Sequence, residues 1–255
     1  MNNGIFDTHA HYDHERYDYI RHAILSGMPE LGVSLILNCG SNEDSSGFSV
    51  QLANEYPFVY AAAGIHPHEA ARAAPGWEER IKQLLYDTKA VAVGEIGLDY
   101  YYNISDTASQ KKVFVSLLEL AVCSDLPVVI HDRDAHEDIL SIIKEYSPKG
   151  VLHRFSGTMD MALELVDLGF YLGFGCSLTY DNADNERKIA AEIPVDRILL
   201  ETDCPYLPPL QLRNELCRSD MISFAAEVIS TLRPGYSSEQ ITDIARENGK
   251  RLFSI

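Results

Sequence analysis

The residues best suited to chemistry lie near the start of the sequence, where His9 and His11 follow the short apolar run 4–6. Side chains two residues apart on a strand point to the same side, so both imidazoles can reach one point in space. A histidine pair near a chain start is equally compatible with two solvated side chains. The same pattern recurs downstream, however, and this recurrence favours a metal site. Metal-type residues follow further apolar runs at His66 and His68, Glu95, His131, His153, and Glu201 and Asp203.

The elements that must position these residues are predicted by regularly spaced apolar runs. The predicted strands are 4–6, 34–38, 58–63, 90–94, 127–130, 150–152, 170–174 and 197–200. Several are nearly continuous apolar runs, which is typical of parallel strands covered on both faces. Apolar residues three and four apart predict intervening helices at 110–121 and 139–143. Asp132 or Asp134 is expected to cap the second of these helices, and residues 237–240 resemble a capping box. This alternation predicts one domain over residues 1–255, an α/β (β/α)8 TIM barrel.

In such a barrel the carboxyl ends of the strands converge on one face, so the candidate residues are expected to meet there. Four imidazoles and two carboxylates exceed the needs of one tetrahedral ion. They suit two divalent cations about 3.5 to 4 Å apart that share one carboxylate. We assign His9, His11, Glu95 and Asp203 to one cation and Glu95, His131 and His153 to the other, with Glu95 as the bridge. A mixed nitrogen and oxygen set admits Mg, Mn, Zn or Ni, so the sequence leaves the metal open.

Composition narrows the class of protein. The chain has 255 residues with a hydrophobic fraction of 46%, as expected for a globular protein with a full core. The first residues show no basic segment followed by an apolar one, and no apolar run approaches the roughly 20 residues of a membrane span. We therefore expect a cytoplasmic protein with no membrane partner. Five widely spaced cysteines without a C-x-x-C pair argue against a disulfide framework and a thiolate zinc site.

The net charge of −17 points away from nucleic acid, because a polyanion is bound largely through Lys and Arg. Any contact with nucleic acid must therefore be local. The sequence contains no P-loop, G-x-S-x-G elbow or G-x-G-x-x-G turn, so we expect no nucleotide cofactor and no serine nucleophile. The oligomeric state is not indicated by the sequence.

Six motifs together carry a family resemblance. They are Asp7–His11, Gly64–His68, Gly94–Tyr100, His131–Ala135, His153–Gly157 and Glu201–Leu207. In type and order they resemble the motif series of the TatD family of metal-dependent deoxyribonucleases, within the amidohydrolase superfamily, and the match spans nearly the whole chain. The resemblance implies a metallo-dependent TIM barrel, two divalent cations at the positions assigned above, and hydrolysis of DNA phosphodiesters from a 3′ end.

Two positions depart from the family pattern and concern the substrate groove. The family usually has a small residue, often Cys, where this chain has Arg154, and commonly has Pro where this chain has Leu216. Arg133 and Arg154 are candidates to bind phosphate oxygens, although Arg133 can equally form an ion pair with Asp132 or Asp134. Tyr100, the first of three consecutive tyrosines, can stack on a terminal base, and a solvent-facing rim is the alternative.

The predicted function is a two-metal hydrolase that cleaves DNA phosphodiesters, a 3′-end exonuclease on single-stranded or frayed ends. A metal-activated water attacks phosphorus, Asp203 accepts its proton and Glu95 holds both cations. His66 orients a phosphate or protonates the leaving group, with a packing role as the alternative. Asp7 is expected to contact a metal-binding histidine. The alternative functions are hydrolysis of a carboxylic ester or amide, such as an aminoacyl-tRNA ester, and a non-catalytic binding barrel.

Overall fold

The computed structural model describes residues 4–255, which are built around one parallel sheet of eight strands in the order β1 to β8. The strands are β1 (Ile5–Ala10), β2 (Val33–Cys39), β3 (Val59–Ala63), β4 (Ala90–Asp99), β5 (Val128–Arg133), β6 (Gly150–Leu152), β7 (Tyr171–Phe174) and β8 (Ile198–Leu200). Strands that are neighbours in sequence are neighbours in the sheet. The predicted (β/α)8 barrel and all eight of its strands are confirmed.

Nine α-helices lie between or after the strands of the described chain. They are α1 (Arg21–Gly27), α2 (Glu43–Glu55), α3 (Trp77–Leu84), α4 (Thr107–Ser124), α5 (His136–Tyr146), α6 (Met159–Asp167), α7 (Asp184–Glu192), α8 (Ile222–Leu232) and α9 (Ser238–Phe253). The helices predicted at 110–121 and 139–143 are α4 and α5. The predicted capping box is also present, because Ser237 Oγ accepts from the backbone of Gln240 and the Gln240 side chain accepts from the backbone of Ser237. None of these helices is long and apolar enough to cross a bilayer.

The predicted cap of α5 is wrong. The helix begins after Ala135, which makes no side-chain cap. Asp132 Oδ1 instead accepts from the backbone N–H of Ala135 at 3.3 Å, and Asp132 Oδ2 binds His136 Nδ1 at 2.7 Å. Asp132 therefore fixes the turn between β5 and α5 rather than the first turn of the helix.

The barrel is closed between its last and first strands by backbone hydrogen bonds just beyond β8. His11 donates to the carbonyl of Cys204 at 2.8 Å, and Asp203 donates to the carbonyl of His9 at 2.9 Å. These bonds involve three of the predicted metal ligands. Closure of the barrel thus brings Asp203 next to the two histidines that begin the sequence pattern.

Three strands extend further than their apolar runs predict. β1 continues to Ala10, β4 to Asp99 and β5 to Arg133. His9, Glu95 and His131 consequently lie within strands rather than after them. The strand register is irregular beside His9 and Glu95, between Asp7 and Ala10 on β1 and between Val93 and Ile96 on β4, whereas His131 pairs in register with Gly97.

Candidate metal centre

Glu95 lies at the centre of the converging side chains, with one carboxylate oxygen toward each half of the group. Its Oε2 is 3.4 Å from His9 Nε2 and 3.5 Å from His11 Nε2. Its Oε1 is 2.9 Å from His131 Nδ1 and 3.2 Å from His153 Nε2. The structure therefore places Glu95 between the two histidine pairs.

Asp203 completes the half of the site formed by β1. Its Oδ1 is 3.8 Å from His9 Nε2 and 3.5 Å from His11 Nε2. Ligand atoms that all lie within 4.8 Å of one another form three groups: His9, His11 and Asp203; His9, Glu95 and His153; and His66, Glu95 and His131. The structure thus brings together all six residues predicted to bind metal, and His66 with them.

The hydrogen-bond partner of His11 fixes which of its ring nitrogens carries a hydrogen. Nδ1 is 2.8 Å from the carbonyl oxygen of Cys39, which can only accept, so Nδ1 is the donor. In the neutral ring, Nε2 then presents a lone pair. That lone pair is 3.0 Å from His9 Nε2 and also faces the carboxylate oxygens of Glu95 and Asp203. A lone pair that faces two carboxylates favours positive charge among these groups.

The electrostatics of His11 agree with this preference. Burial lowers the pKa of the ring, but the carboxylates of Asp203 and Glu95 outweigh burial and raise the pKa to about 9. The two anions thus favour positive charge at this point. A divalent cation meets the same demand while leaving the imidazole nitrogens free to bind it.

Two buried carboxylates fix the remaining histidines in the same way. Asp99 Oδ2 accepts from His131 Nε2 at 3.2 Å, and Glu201 Oε1 accepts from His153 Nδ1 at 3.2 Å. The opposite ring nitrogen of each histidine faces Glu95 Oε1, at 2.9 Å for His131 and 3.2 Å for His153. Carboxylates behind metal-binding histidines commonly hold the ring and its tautomer in this manner. The sequence motifs contain Asp99 and Glu201, but sequence reasoning gave them no role.

Asp99 also brings a further histidine to the site. Its carboxylate is fully buried, and Oδ2 accepts from His68 Nε2 at 2.8 Å while Oδ1 accepts from the backbone of Tyr102 at 2.8 Å. Burial raises the pKa of Asp99, but the bonds from His131, Tyr102 and His68 outweigh burial and lower it overall. His68, to which sequence analysis gave no role of its own, therefore lines the site.

His66 differs from the other histidines in its tautomer. It precedes a 3-10 helix at Pro67–Arg72, and its Nδ1 accepts from the backbone N–H of His68 at 3.1 Å. Its hydrogen must then be on Nε2, which points toward Glu95 Oε1 at 3.6 Å. Burial lowers the pKa of His66 well below its usual value, so the ring is neutral. His66 is thus built as a hydrogen-bond donor rather than a metal ligand.

Two glycines make room for this arrangement. A Cβ on Gly97, whose φ is 143°, would lie 2.0 Å from the carbonyl oxygen of His131. A Cβ on Gly173 would lie 2.2 Å from Glu201 Oε2. Only glycine therefore allows β4 to approach β5 beside His131, and β7 to approach the carboxylate behind His153.

The residues present fit divalent cations. Among residues 4–255, two buried side-chain polar atoms lack a hydrogen-bond partner, His9 Nδ1 and Glu201 Oε2, and both belong to this cluster. Neither atom faces Glu95, because His9 turns Nε2 toward that carboxylate and Glu201 lies behind His153, so the fit depends on the donor atoms that converge on Glu95. A set of imidazole nitrogens and carboxylate oxygens is the donor type that divalent metals take.

Asp7 does not contact a histidine ring, contrary to the sequence-based expectation. Its carboxylate accepts from the backbone N–H and the hydroxyl of Thr202, at 3.0 and 2.6 Å, and from Ser219 Oγ at 2.7 Å. It reaches His9 only through the backbone N–H, at 3.3 Å. Burial raises the pKa of Asp7 to about 7, against the lowering effect of these bonds. Asp7 therefore ties β1 to the segment after β8.

A cavity of about 700 Å³ opens over the cluster, and two arginines line it. The Arg133 guanidinium lies over the ring of Tyr101 at 4.4 Å and over that of Tyr102 at 4.9 Å, and within residues 4–255 it has no carboxylate partner. The expected alternative, an ion pair with Asp132 or Asp134, is therefore not formed. Arg154 Nη1 lies 3.9 Å from Asp203 Oδ2. Both guanidiniums are thus available to a ligand in the cavity.

Tyr100 is the predicted site residue that the structure does not bring to the cavity. Its hydroxyl donates to Asp138 Oδ2 at 2.6 Å, and its ring packs against the core. Tyr102, exposed by 56%, lines this cavity in its place, and Tyr101, exposed by 59%, lines a second cavity beside it. Leu216 packs against the core as well, so of the two departures from the family pattern only Arg154 lines the site.

Comparison with known proteins gives the family. Residues 6–254 match the sequence model of the TatD related DNase family. The chain is 37% identical to the metal-dependent hydrolase YabD of Bacillus subtilis, over 98% of this chain and 99% of that protein. It is 32% identical to the 3′-5′ ssDNA/RNA exonuclease TatD of Erwinia tasmaniensis, over 98% and 100% of the two chains. The crystal structure of YjjV, a TatD homologue from Escherichia coli, superposes with a TM-score of 0.93 at 30% identity and covers 100% of both chains.

The barrel and its cluster of imidazoles and carboxylates define a metal-dependent hydrolase. The chain belongs to the TatD family, as the sequence motifs indicated.

Proposed function

We propose that this chain is a two-cation exonuclease that removes nucleotides from the 3′ end of single-stranded or frayed DNA. The observation that carries the proposal is the position of Glu95, whose two carboxylate oxygens face two separate sets of ring nitrogens. One carboxylate shared in this way suits a pair of cations rather than a single ion. The relative from Erwinia tasmaniensis is named a 3′-5′ ssDNA/RNA exonuclease, which supports the choice of substrate.

The tautomer of His66 supports the following assignment of residues to the two proposed cations. His9, His11, Glu95 and Asp203 would hold one of them. Glu95, His131 and His153 would hold the other, since the donor tautomer of His66 removes it from the second set. Bound divalent cations lower the pKa of water and offset charge on a phosphodiester.

Asp203 is the proposed general base. Oδ1 faces the histidines of β1, whereas Oδ2 faces the cavity and lies 3.9 Å from Arg154 Nη1. Burial raises the pKa of Asp203, but the bond from His11 and the charges of the neighbouring histidines outweigh it and lower the pKa to about 2. The carboxylate is therefore ionised at neutral pH, which both a cation ligand and a proton acceptor must be.

The remaining groups position the phosphate. The water oxygen bonds to phosphorus as the bond from phosphorus to the 3′ oxygen breaks, and that oxygen takes up the proton that Asp203 accepted from the water. Arg133 and Arg154 would hold non-bridging oxygens. The neutral His66 would donate a hydrogen bond from Nε2 to the phosphate. Because the pKa of this ring is lowered, it carries no extra proton at neutral pH and would act as a hydrogen-bond donor rather than as an acid.

One experiment tests both substrate and chemistry. Metal-stripped enzyme is reconstituted with Mg or Mn and assayed on single-stranded DNA labelled at the 5′ end. RNA, an aminoacyl ester and p-nitrophenyl phosphodiester are assayed in parallel. We expect a ladder of products shortened one nucleotide at a time from the 3′ end. Turnover of the aminoacyl ester with intact DNA would overturn the proposal and favour an esterase on the same barrel.

A further inference from the structure

A second cavity, of about 360 Å³, lies beside the metal cavity and is here named the side chamber. The two cavities share His131, Arg133, His153 and Arg154 in their walls. They therefore communicate directly past the metal-binding histidines. The volume lies at the lower end of the range for small-molecule sites, which is room for one nucleoside rather than a base pair.

Charge is distributed unevenly around the side chamber. Arg133 and Arg154 stand at the boundary with the metal cavity, whereas Asp134 and Glu186 line the side chamber alone. Within the described chain, neither of these two carboxylates has an ion-pair or hydrogen-bond partner for its side chain. A phosphate is thus favoured beside the two arginines and disfavoured beside Asp134 and Glu186.

The third carboxylate of the side chamber is already occupied. Asp132 binds His136 Nδ1 at 2.7 Å, and its side chain is only 5% exposed. Asp134 and Glu186 are therefore the two carboxylates of the side chamber that remain to accept hydrogen bonds from a ligand. Each can accept hydrogen bonds and donates none when ionised.

Aromatic surfaces bound the same space. Tyr101 carries the Arg133 guanidinium 4.4 Å above its ring, and the Tyr180 hydroxyl donates to the carbonyl of Pro208 at 2.8 Å, which fixes that ring in place. Flat aromatic and guanidinium faces are surfaces on which nucleobases stack. Asn182, also in the wall, offers an amide to a base edge.

The start of α7 adds no competing anion site. Asp184 and Glu186 occupy its first turn, so negative side chains already offset the positive end of the helix dipole. A second phosphate would meet these carboxylates before it met the helix backbone. The part of the side chamber beside Asp134 and Glu186 therefore suits a neutral group with hydroxyl or amino donors.

We propose that the side chamber takes the 3′-terminal nucleoside of the substrate, with its free hydroxyl directed toward Asp134 and Glu186. The scissile phosphate then remains at the boundary, between Arg133 and Arg154. This inference rests on the proposed nuclease function. It predicts that a strand ending in a 3′-phosphate is a poor substrate, because that phosphate would lie beside Asp134 and Glu186. It also predicts a nucleoside 5′-monophosphate as product.

The kinetic test compares two oligonucleotides of one sequence, ending in a 3′-hydroxyl or a 3′-phosphate. We expect wild-type kcat/KM to be at least about tenfold higher for the hydroxyl end, since misplaced like charges select against a ligand. The double substitution Asp134→Asn and Glu186→Gln should bring the ratio to within about twofold, mainly through KM on the phosphate end. Glu192→Gln, at the exposed far end of α7, is the matched control and should keep the wild-type ratio.

A binding test separates this inference from the nuclease activity itself. Metal-loaded wild type is titrated by calorimetry with deoxyadenosine 5′-monophosphate and with its 3′,5′-bisphosphate. We expect the monophosphate to bind more tightly, and the double substitution to remove the difference. Equal cleavage of both ends with equal binding of both nucleotides would overturn the side-chamber assignment while leaving the exonuclease in place. Selective binding of the monophosphate without cleavage of any nucleic acid would overturn the exonuclease and support the side chamber.

Discussion

At the scale of single residues, His11, His131 and His153 each use one ring nitrogen for a protein acceptor and turn the other inward. The acceptors are the carbonyl of Cys39 and the carboxylates of Asp99 and Glu201. The inward-facing ring nitrogens indicate where a cation would bind. This use of the two ring nitrogens also explains why His66, whose Nδ1 accepts a backbone hydrogen bond, plays a different part in the same cluster.

Asp99→Asn tests whether the partner of His131 controls cation binding. An amide can accept through its oxygen but cannot hold His131, His68 and the backbone of Tyr102 as an anion does. We expect cation affinity to fall by about 10- to 100-fold, measured by equilibrium dialysis with metal analysis. Asp138→Asn, at the surface beside Tyr100, is the control and should leave affinity unchanged. Unaltered affinity in the Asp99 variant would mean that His131 needs no partner to bind metal.

Asp203→Asn separates two functions of one carboxylate. Asparagine keeps an oxygen that can bind a cation weakly, but its neutral amide cannot accept a proton. We expect a rate deficit of about 10²- to 10⁴-fold that remains at saturating Mn, measured in single-turnover assays. Glu95→Ala should instead lose the cations themselves, as seen by metal analysis. Recovery of the wild-type rate by the Asn variant at high Mn would reduce Asp203 to a metal ligand.

At the scale of elements, the apolar runs predicted the eight strands well, because a strand covered on both faces is apolar throughout. The ends of β1, β4 and β5 were missed, because polar residues interrupt the apolar runs there. His9 and Asp99 are buried against polar partners on other strands. Such contacts between residues distant in sequence cannot be predicted from hydropathy. Strand prediction therefore fails at the residues that build the site.

The three consecutive tyrosines show a second limit of sequence reasoning. Residue type alone made Tyr100 the candidate for stacking, since a run of identical residues carries no periodicity. In the structure, Asp138 takes the hydroxyl of Tyr100, whereas Tyr101 and Tyr102 lie under Arg133. The choice among them depends on α5 and β5, which are distant in sequence. The predicted metal-binding set was more accessible, because its members follow regularly spaced apolar runs.

Two helical glycines provide a test of how closely the elements pack. A Cβ on Gly249 of α9 would lie 2.7 Å from the ring of Phe6, whereas a Cβ on Gly47 of α2 meets nothing within 4 Å. We expect Gly249→Ala to lower the free energy of unfolding by about 1 to 3 kcal/mol through overpacking. Gly47→Ala should raise it by about 0.5 to 1 kcal/mol, because alanine favours the helix. Urea denaturation measures both, and a change of the same sign in both variants would contradict the close packing of α9 on β1.

At the scale of the whole molecule, the cations are expected to govern activity and to add to a fold that does not need them. The large apolar cluster between strands and helices is independent of the metal cluster. Chelation should therefore abolish turnover while the far-ultraviolet circular dichroism persists, and Mg or Mn should restore activity. The melting temperature should rise with cation concentration, since a ligand at 100 times its Kd adds about 2.7 kcal/mol. Full activity in metal-free protein would exclude the mechanism.

The charge of the whole molecule sets the dependence of binding on salt. Two divalent cations reduce the formal charge of −17 only to about −13. The protein as a whole therefore repels DNA, and attraction is confined to the cations and the arginines at the cavity. With few phosphates engaged, the slope of log K against log salt should be shallow, about −1 to −3, at roughly 0.7 per phosphate for single strands.

The arginines contribute a defined share of this slope. Replacing both Arg133 and Arg154 with alanine should make it shallower by about 0.7 for each phosphate that the variant no longer binds. Arg80→Ala is the control, because Arg80 pairs with Glu43 away from the cavity and should leave the slope unchanged. Fluorescence anisotropy with a labelled single strand, measured over a series of KCl concentrations, gives all three slopes. A steep wild-type slope that Arg80→Ala also reduces would indicate a long binding surface, and DNA would then be held along its length rather than by its end.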